Sequence, residues 1–229
     1  MNYNSTSSTL HPVLKHMLLE QRQNGSIFNH LSLRALIDLA PGTLVSILTS
    51  GGLDSATMIA LASSANLKIQ TIEFLRSDRP ISEAIYSQRL ASRFSNEHIT
   101  VEYPAPRKRL EDNVFNLPEL YSVYLTIGAA IAKQARSRYL FSGLIYEDWA
   151  SDSETATSTD MLGAVNKLIL SEEAGASIQV AAPFAFSSKA TIAALSLVLG
   201  LSVEESQSCL MPQNGRPCSS CQQCHVFFF

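Results

Sequence analysis

Apolar positions along the chain fall into two alternating kinds of run. Thr43 to Thr49 (Thr-Leu-Val-Ser-Ile-Leu-Thr) is short and nearly continuous, bounded by Pro41-Gly42 and Ser50-Gly51-Gly52. A strand buried on both faces reads this way. Lys68 to Phe74, His98 to Tyr103, Arg138 to Ser142 and Ile178 to Ala181 predict further strands. Ala56 to Ala65 is a small-residue helix, and residues 81–95, 119–136, 160–171 and 188–200 carry apolar positions at helical spacing. Strands alternating with helices predict an α/β fold, a Rossmann-like parallel sheet covered on both sides, with ligands beyond the carboxyl ends of the strands. Residues 1–40 hold two amphipathic stretches, Val13 to Gln21 and Leu31 to Leu39, parted by Asn24-Gly25-Ser26. They read as an N-terminal extension to one domain over 41–229. Segment 147–159 is rich in Asp, Glu, Ser and Thr without periodicity, which predicts a long loop near the functional edge.

Composition narrows the classes of partner. Hydrophobic residues make up 46% against 16% charged, too apolar a chain to remain disordered. With 17 Lys plus Arg against 20 Asp plus Glu, the net charge of −3 provides no whole-molecule positive field, so a nucleic-acid partner is disfavoured. The longest apolar stretch, Ala190 to Val203, is broken by serines and a glycine and falls short of the roughly 20 residues of a membrane helix. Met1 to Thr9 lacks the basic start and apolar block of a secretion signal. A cytoplasmic protein without a membrane span is expected. All four cysteines lie between Cys209 and Cys224, and in a reducing compartment such a cluster reads as metal ligands, not disulfides.

Ser50-Gly51-Gly52-Leu53-Asp54-Ser55 follows the first strand and opens a helix. Glycines let backbone N–H groups approach phosphate oxygens, the helix dipole favours negative charge, and Ser50 and Ser55 add hydroxyl donors. Asp54 does not suit simple anion binding. A carboxylate beside phosphates makes sense where it meets magnesium or holds the loop. No Gly-x-x-x-x-Gly-Lys-Ser/Thr occurs, so this is not a Walker loop. The blander alternative is a strand-to-helix turn with Asp54 as a helix cap.

The cysteines are spaced Cys209-x8-Cys218-x2-Cys221-x2-Cys224. Four thiolates surround one zinc ion tetrahedrally, and a site filled entirely by sulfur is closed and structural. Gly215 and Pro217 let the connecting loop turn, His225 is a bystander, and a zinc module over 206–229 is expected.

The hexapeptide resembles the Ser-Gly-Gly-x-Asp-Ser signature of PP-loop ATP pyrophosphatases, of the adenine nucleotide alpha hydrolase type, whose loop grips the pyrophosphate leaving ATP. Phosphate loop and cysteine cluster together resemble the 7-cyano-7-deazaguanine synthases, from about Thr43 to Cys224. Phe74, Arg79 and Glu83 fall on that family's Phe-x-Tyr-x-Gln-Arg-His-x-x-Glu segment, Ser142-Gly143 through Asp148 on its Thr-Gly-x-x-x-x-Asp segment, and Lys189 on its Thr-Lys or Asn-Lys. The resemblance implies ATP and magnesium as well as zinc, with Ser50 to Ser55, Phe74 and Arg79 at the nucleotide, Glu147 and Asp148 in a substrate loop, and Asp54 and Lys189 in the chemistry. It implies that a substrate carboxylate attacks the α phosphorus, that ammonia turns the acyl-adenylate into an amide, and that a second ATP dehydrates the amide to a nitrile. Lys189 is the candidate cation easing pyrophosphate departure. A lysine at a helix start opposes the dipole and so wants a reason beyond an exposed surface position.

Several positions depart from the family. Pro118-Glu119-Leu120-Tyr121 stands where the family has Pro-Gly-Arg-Asn, and Asp152-Ser153-Glu154-Thr155-Ala156 replaces Tyr-Pro-Asp-Cys-Arg. Arg76, Asp78 and Pro80 replace Tyr, Gln and His, and the chain reads Phe227-Phe228-Phe229 where the family has a basic tail. ATP-facing parts persist while purine-facing parts diverge, and altered polar contacts change selectivity. These departures favour a diverged enzyme that adenylates a 7-deazaguanine carboxylate and joins it to an amine, as in defence-associated branches. The alternatives are the housekeeping nitrile synthase and a nucleotide-binding subunit without chemistry. A deazapurine acid, an amine donor and a homodimer or protein complex are the expected partners.

Overall fold

The computed structural model describes residues 11–23, 33–76, 81–104, 118–148, 159–170, 178–209, 212–213, 217–221 and 224. Five parallel strands, β1 (Leu44–Thr49), β2 (Lys68–Arg76), β3 (Glu97–Tyr103), β4 (Tyr139–Phe141) and β5 (Gln179–Ala181), form one sheet in the order β3-β2-β1-β4-β5. The helices are α1 (Pro12–Gln23), α2 (Arg34–Ile37), α3 (Leu53–Ser64), α4 (Ile81–Phe94), α5 (Pro118–Gln134), α6 (Thr159–Leu170) and α7 (Lys189–Val198). Every strand and central helix expected from the sequence is present. Helix α3 starts at Leu53, which puts Asp54 and Ser55 inside its first turn. Only the opening of the expected 147–159 loop is described, where Tyr146–Asp148 form a 3₁₀ turn; residues 149–158 lie outside the described residues. Among the described residues no helix is long and apolar enough to cross a membrane.

Strand alternation divides the apolar residues between two cores. Ile69, Phe141 and Ala181 enter a core with α1, α2, α3, α4 and α7, while Ile72, Leu140 and Val180 face α5 and α6. Successive strand residues point to opposite faces, so a sheet covered on both sides turns both sets inward and its strands read as continuous apolar runs. Helix α3 explains its small residues in the same way. Ala56, Ala60 and Ala62 are all buried because the helix is enclosed by the sheet, α4 and α7.

The N-terminal helices belong to the first of these cores, through Leu14 and Met17 of α1 and Leu36 of α2. Gln21 fixes the arrangement: its Nε2 donates to the Pro183 carbonyl at 2.7 Å and its Oε1 accepts the Leu33 N–H at 2.9 Å. A buried amide satisfied at both ends ties α1 to the segment leading into α7.

Candidate active site and metal centre

The strand order reverses between β1 and β4, and a crevice at such a switch point is where open α/β sheets take their ligands. Ser50-Gly51-Gly52 leaves β1 here, and Ser142-Gly143 leaves β4 beside it. Gly143 permits the approach, since a Cβ on it would lie 3.2 Å from the Ser55 nitrogen and 3.3 Å from the Asp54 carbonyl carbon.

Gly51 holds the turn. Its φ is +74°, and a Cβ would stand 2.5 Å from the Glu83 carbonyl oxygen and 2.8 Å from the Ser87 nitrogen of α4. Only glycine fits a left-handed position pressed so closely on another backbone. Thr49 Oγ1 accepts the Gly51 N–H, Ser50 Oγ accepts the Gly52 N–H and Ser55 Oγ accepts the Ser50 N–H, each at 3.4 Å, while the Ser55 hydroxyl donates to the Gly52 carbonyl at 3.0 Å. The loop is therefore preformed by its own hydroxyls, at the N-terminus of a 12-residue helix whose dipole favours an anion. Leu53 is buried and packs its side chain into the core.

Asp54 and Lys189 meet across the crevice. Lys189 is 4% exposed, and its Nζ donates to Asp54 Oδ2 at 2.6 Å. An exposed lysine at a helix start is thereby excluded. Glu147 Oε1 accepts the Lys189 N–H at 2.8 Å, and Ser188 caps α7 by accepting the Thr191 N–H. Asp148 Oδ2 accepts the Ile145 N–H at 2.9 Å, and both carboxylates lie close enough to Asp54 to interact with it electrostatically. Desolvation raises Asp54 above the ordinary carboxylate range, with Lys189 opposing the rise and Glu147 adding to it. Asp148 keeps contact with solvent, yet the surrounding protein desolvates it and pushes it up to about 6. Asp54 Oδ1 is buried with no hydrogen-bond partner among the described residues. An unsatisfied carboxylate oxygen beside an anion loop fits a divalent cation of magnesium type.

Phe74 stacks on Tyr124 of α5 with ring centroids 4.5 Å apart, and Tyr103 meets the same ring edge-on at 5.4 Å. Arg76 Nη1 donates to the Tyr124 hydroxyl at 3.4 Å. Arg79, the diverged residues Asp78, Pro80 and Asp152 to Ala156, and His225 and the terminal phenylalanines lie outside the described residues.

The four cysteines come together at the other side of the phosphate loop. Their sulfurs all lie within 4.8 Å of one another, with Cys221 Sγ at 3.4 Å from Cys224 Sγ and 3.9 Å from Cys209 Sγ, and none of the four is in a disulfide. Tetrahedral zinc with Zn–S bonds of about 2.3 Å needs sulfurs roughly 3.8 Å apart, so the set fits the ion. The Cys218 N–H donates to Cys209 Sγ at 3.2 Å and the Cys221 N–H to Cys218 Sγ at 3.3 Å, contacts that favour thiolates. Ser220, by its hydroxyl and its N–H, holds the Cys218 thiol down at about 5, whereas burial pushes Cys224 up to about 12.

Sequence reasoning missed two residues at this site. Gln207 and Ser208 touch the phosphate loop from the segment before Cys209, through the Gly51 carbonyl and the Leu53 N–H respectively. Their nearness in sequence to Cys209, a candidate metal ligand, was the only available signal.

Loop, crevice and sheet order define a PP-loop nucleotide-binding protein of α/β class. A sequence profile of the queuosine biosynthesis protein QueC family matches residues 111–227, just over half of the chain, and one of asparagine synthase matches residues 42–148. The chain belongs to the QueC family. It is 28% identical over 204 residues to the 7-cyano-7-deazaguanine synthase of Frankia casuarinae, covering 79% of this chain and 86% of that one. The synthase of Aquifex aeolicus is 28% identical over 203 residues, covering 78% and 91%. Among solved structures, the U34-tRNA thiolase NcsA of Methanococcus maripaludis, described with its 4Fe–4S cluster, aligns with a TM-score of 0.56 at 14% identity, over 93% of this chain and 70% of that one. NMN synthetase of Francisella tularensis aligns with a TM-score of 0.53 at 14% identity, over 90% and 79%. These two likenesses concern the fold.

Proposed function

We propose that this chain is an ATP-dependent enzyme that activates the carboxylate of a 7-deazaguanine and converts it to the nitrile; the relatives' names give a 7-cyano-7-deazaguanine as their product. The observation that carries the reading is the Lys189–Asp54 contact at the mouth of the Ser50 to Ser55 loop, within a QueC family chain. Backbone N–H groups and hydroxyls of the loop hold the β and γ phosphates, and the Lys189 ammonium faces the bond that breaks. The substrate carboxylate oxygen attacks the α phosphorus, and pyrophosphate leaves into the loop. Ammonia then attacks the acyl carbon, releasing AMP and leaving the amide. The amide oxygen then attacks the α phosphorus of a second ATP, a second pyrophosphate leaves, and loss of AMP and both nitrogen protons gives the nitrile. Asp54 Oδ1 would hold magnesium, which neutralises charge on the departing pyrophosphate. The four cysteines would hold zinc as a closed structural ion.

A second reading is favoured by the sequence at Leu120, Tyr121 and Asp152 to Ala156, where the family's Arg-Asn and Tyr-Pro-Asp-Cys-Arg are replaced. In it the activated acid is passed to another amine, including a protein amine in a defence system. Purified protein given ATP, magnesium, ammonia and 7-carboxy-7-deazaguanine separates the two. Pyrophosphate release with a nitrile product supports the synthase; pyrophosphate release only with an added amine partner supports the ligase; none under either condition contradicts both. Metal analysis after purification without added metal distinguishes one zinc per chain from iron.

A further inference from the structure

The cysteine cluster and the phosphate loop are joined by two residues. The Gln207 N–H donates to the Gly51 carbonyl at 2.9 Å, and Ser208 Oγ accepts the Leu53 N–H at 3.2 Å. A Cβ on Gly52 would lie 3.6 Å from Ser208 Oγ and 3.8 Å from the Gln207 carbonyl oxygen, so the segment packs directly along the loop. Gln207 is 6% exposed, and its Nε2 is a buried donor without a partner among the described residues. Buried donors are nearly always satisfied, so this one points to an acceptor brought by a ligand of the loop. Cys209 follows immediately, 4% exposed and within the sulfur cluster.

Geometry makes this junction mechanically short. Adjacent Cα atoms are about 3.8 Å apart, so an ion that pins the Cys209 sulfur also fixes Ser208 to within one peptide unit. Ser208 in turn fixes Leu53, whose N–H opens α3 beneath the phosphates. An ion at the sulfurs would add to the thiol and N–H contacts that restrain Cys209, such as that from Cys218 at 3.2 Å.

We infer that Ser208 is a positioning residue of the ATP site, through which metal at the four cysteines holds the phosphate loop in its ATP-binding form. The inference rests on the reading of Ser50 to Ser55 as the ATP loop. It makes metal and nucleotide thermodynamically coupled: whatever factor zinc adds to ATP affinity, ATP must add to zinc affinity. It also gives the cysteine module a role in nucleotide binding in addition to stabilising the fold.

The test uses the full chain, wild type and Ser208→Ala, both loaded with one zinc ion. Magnesium-ATP affinity is measured by calorimetry without acid substrate, and zinc affinity by competition with a chromogenic chelator, with and without magnesium-ATP. Loss of one loop hydrogen bond and its positioning should raise the ATP Kd of S208A about five- to tenfold at unchanged zinc content and unchanged circular dichroism. Magnesium-ATP should retard zinc loss in the wild type and do so far less in S208A. Loaded S208A that binds magnesium-ATP as tightly as the wild type overturns the inference, as does equal protection of zinc by ATP in both proteins. These arms need no folded metal-free protein. Loaded wild type that fails to bind magnesium-ATP overturns the loop assignment as well, which separates the two failures.

Discussion

Lys189 and Asp54 are 135 positions apart and meet at 2.6 Å, one at the start of α7 and the other in the first turn of α3. Each explains the other's oddity. A carboxylate at an anion site and a lysine at a helix N-terminus are both unfavourable alone, and together they set a cation beside a metal-ready oxygen. In the proposed reaction, removing the ammonium would withdraw charge stabilisation from the departing pyrophosphate. Lys189→Met should therefore lower pyrophosphate release by at least about 100-fold, the usual cost of one transition-state donor. Steady-state kinetics with a coupled pyrophosphate assay measures it.

Gly51→Ala should damage both the loop and the fold. The added methyl meets two backbone atoms of α4 at 2.5 and 2.8 Å, and the φ of +74° disfavours any side chain. Left-handed strain of about 1–2 kcal/mol adds to the clash. Denaturant unfolding should show a loss of at least about 2 kcal/mol, with magnesium-ATP binding lost under conditions where the variant remains folded. A variant of native stability would contradict the packing described.

Glu73 governs a pH-dependent part of the stability. It lies on β2, 5% exposed, with His98 Nε2 at 3.3 Å, Ser87 bonded to it and Glu83 nearby. Desolvation, reinforced by Glu83, pushes it up to about 7 from 4.5, and burial lowers His98. A carboxyl whose folded value is raised binds more protons folded than unfolded, so stability is greatest below 4.5 and falls as pH rises toward 7. Glu73→Gln should stabilise the protein above pH 7 by about 2 kcal/mol once solvent screening is allowed for, and give no gain near pH 4.5. Urea unfolding at pH 5 and pH 8 compares the slopes.

Most of the fold was legible because a sheet covered on both faces writes its strands as apolar runs: Leu44 to Thr49 and Gln179 to Ala181 stand out against helices with periodic faces. The phosphate loop and the cysteines were legible for a different reason, since their chemistry is local in sequence. Contacts between distant segments leave no period. Nothing around Ser208 announces the Leu53 N–H, and Glu73 reads as one polar position in a strand, although the fold buries it under α4. Lys189 fell between these cases: resemblance marked it, but only the packing of α7 against α3 shows what it touches.

Carboxylate protonation should also shape activity. Asp148 titrates near 6 and Asp54 is raised in the same direction. Pyrophosphate release should thus decline as pH falls through 6, as the loop carboxylates take up protons and lose their capacity for a divalent ion. Initial rates across pH 5 to 8 at saturating ATP and magnesium test this, and a rate that rises on acidification would contradict it.

Whether a carboxylate is adenylated at this loop is tested most directly by isotope transfer. With 7-carboxy-7-deazaguanine labelled by oxygen-18 in its carboxyl group, AMP from the first turnover should carry one labelled oxygen while pyrophosphate carries none. Unlabelled AMP, or label in pyrophosphate or inorganic phosphate, would contradict attack by the substrate carboxylate on the α phosphorus.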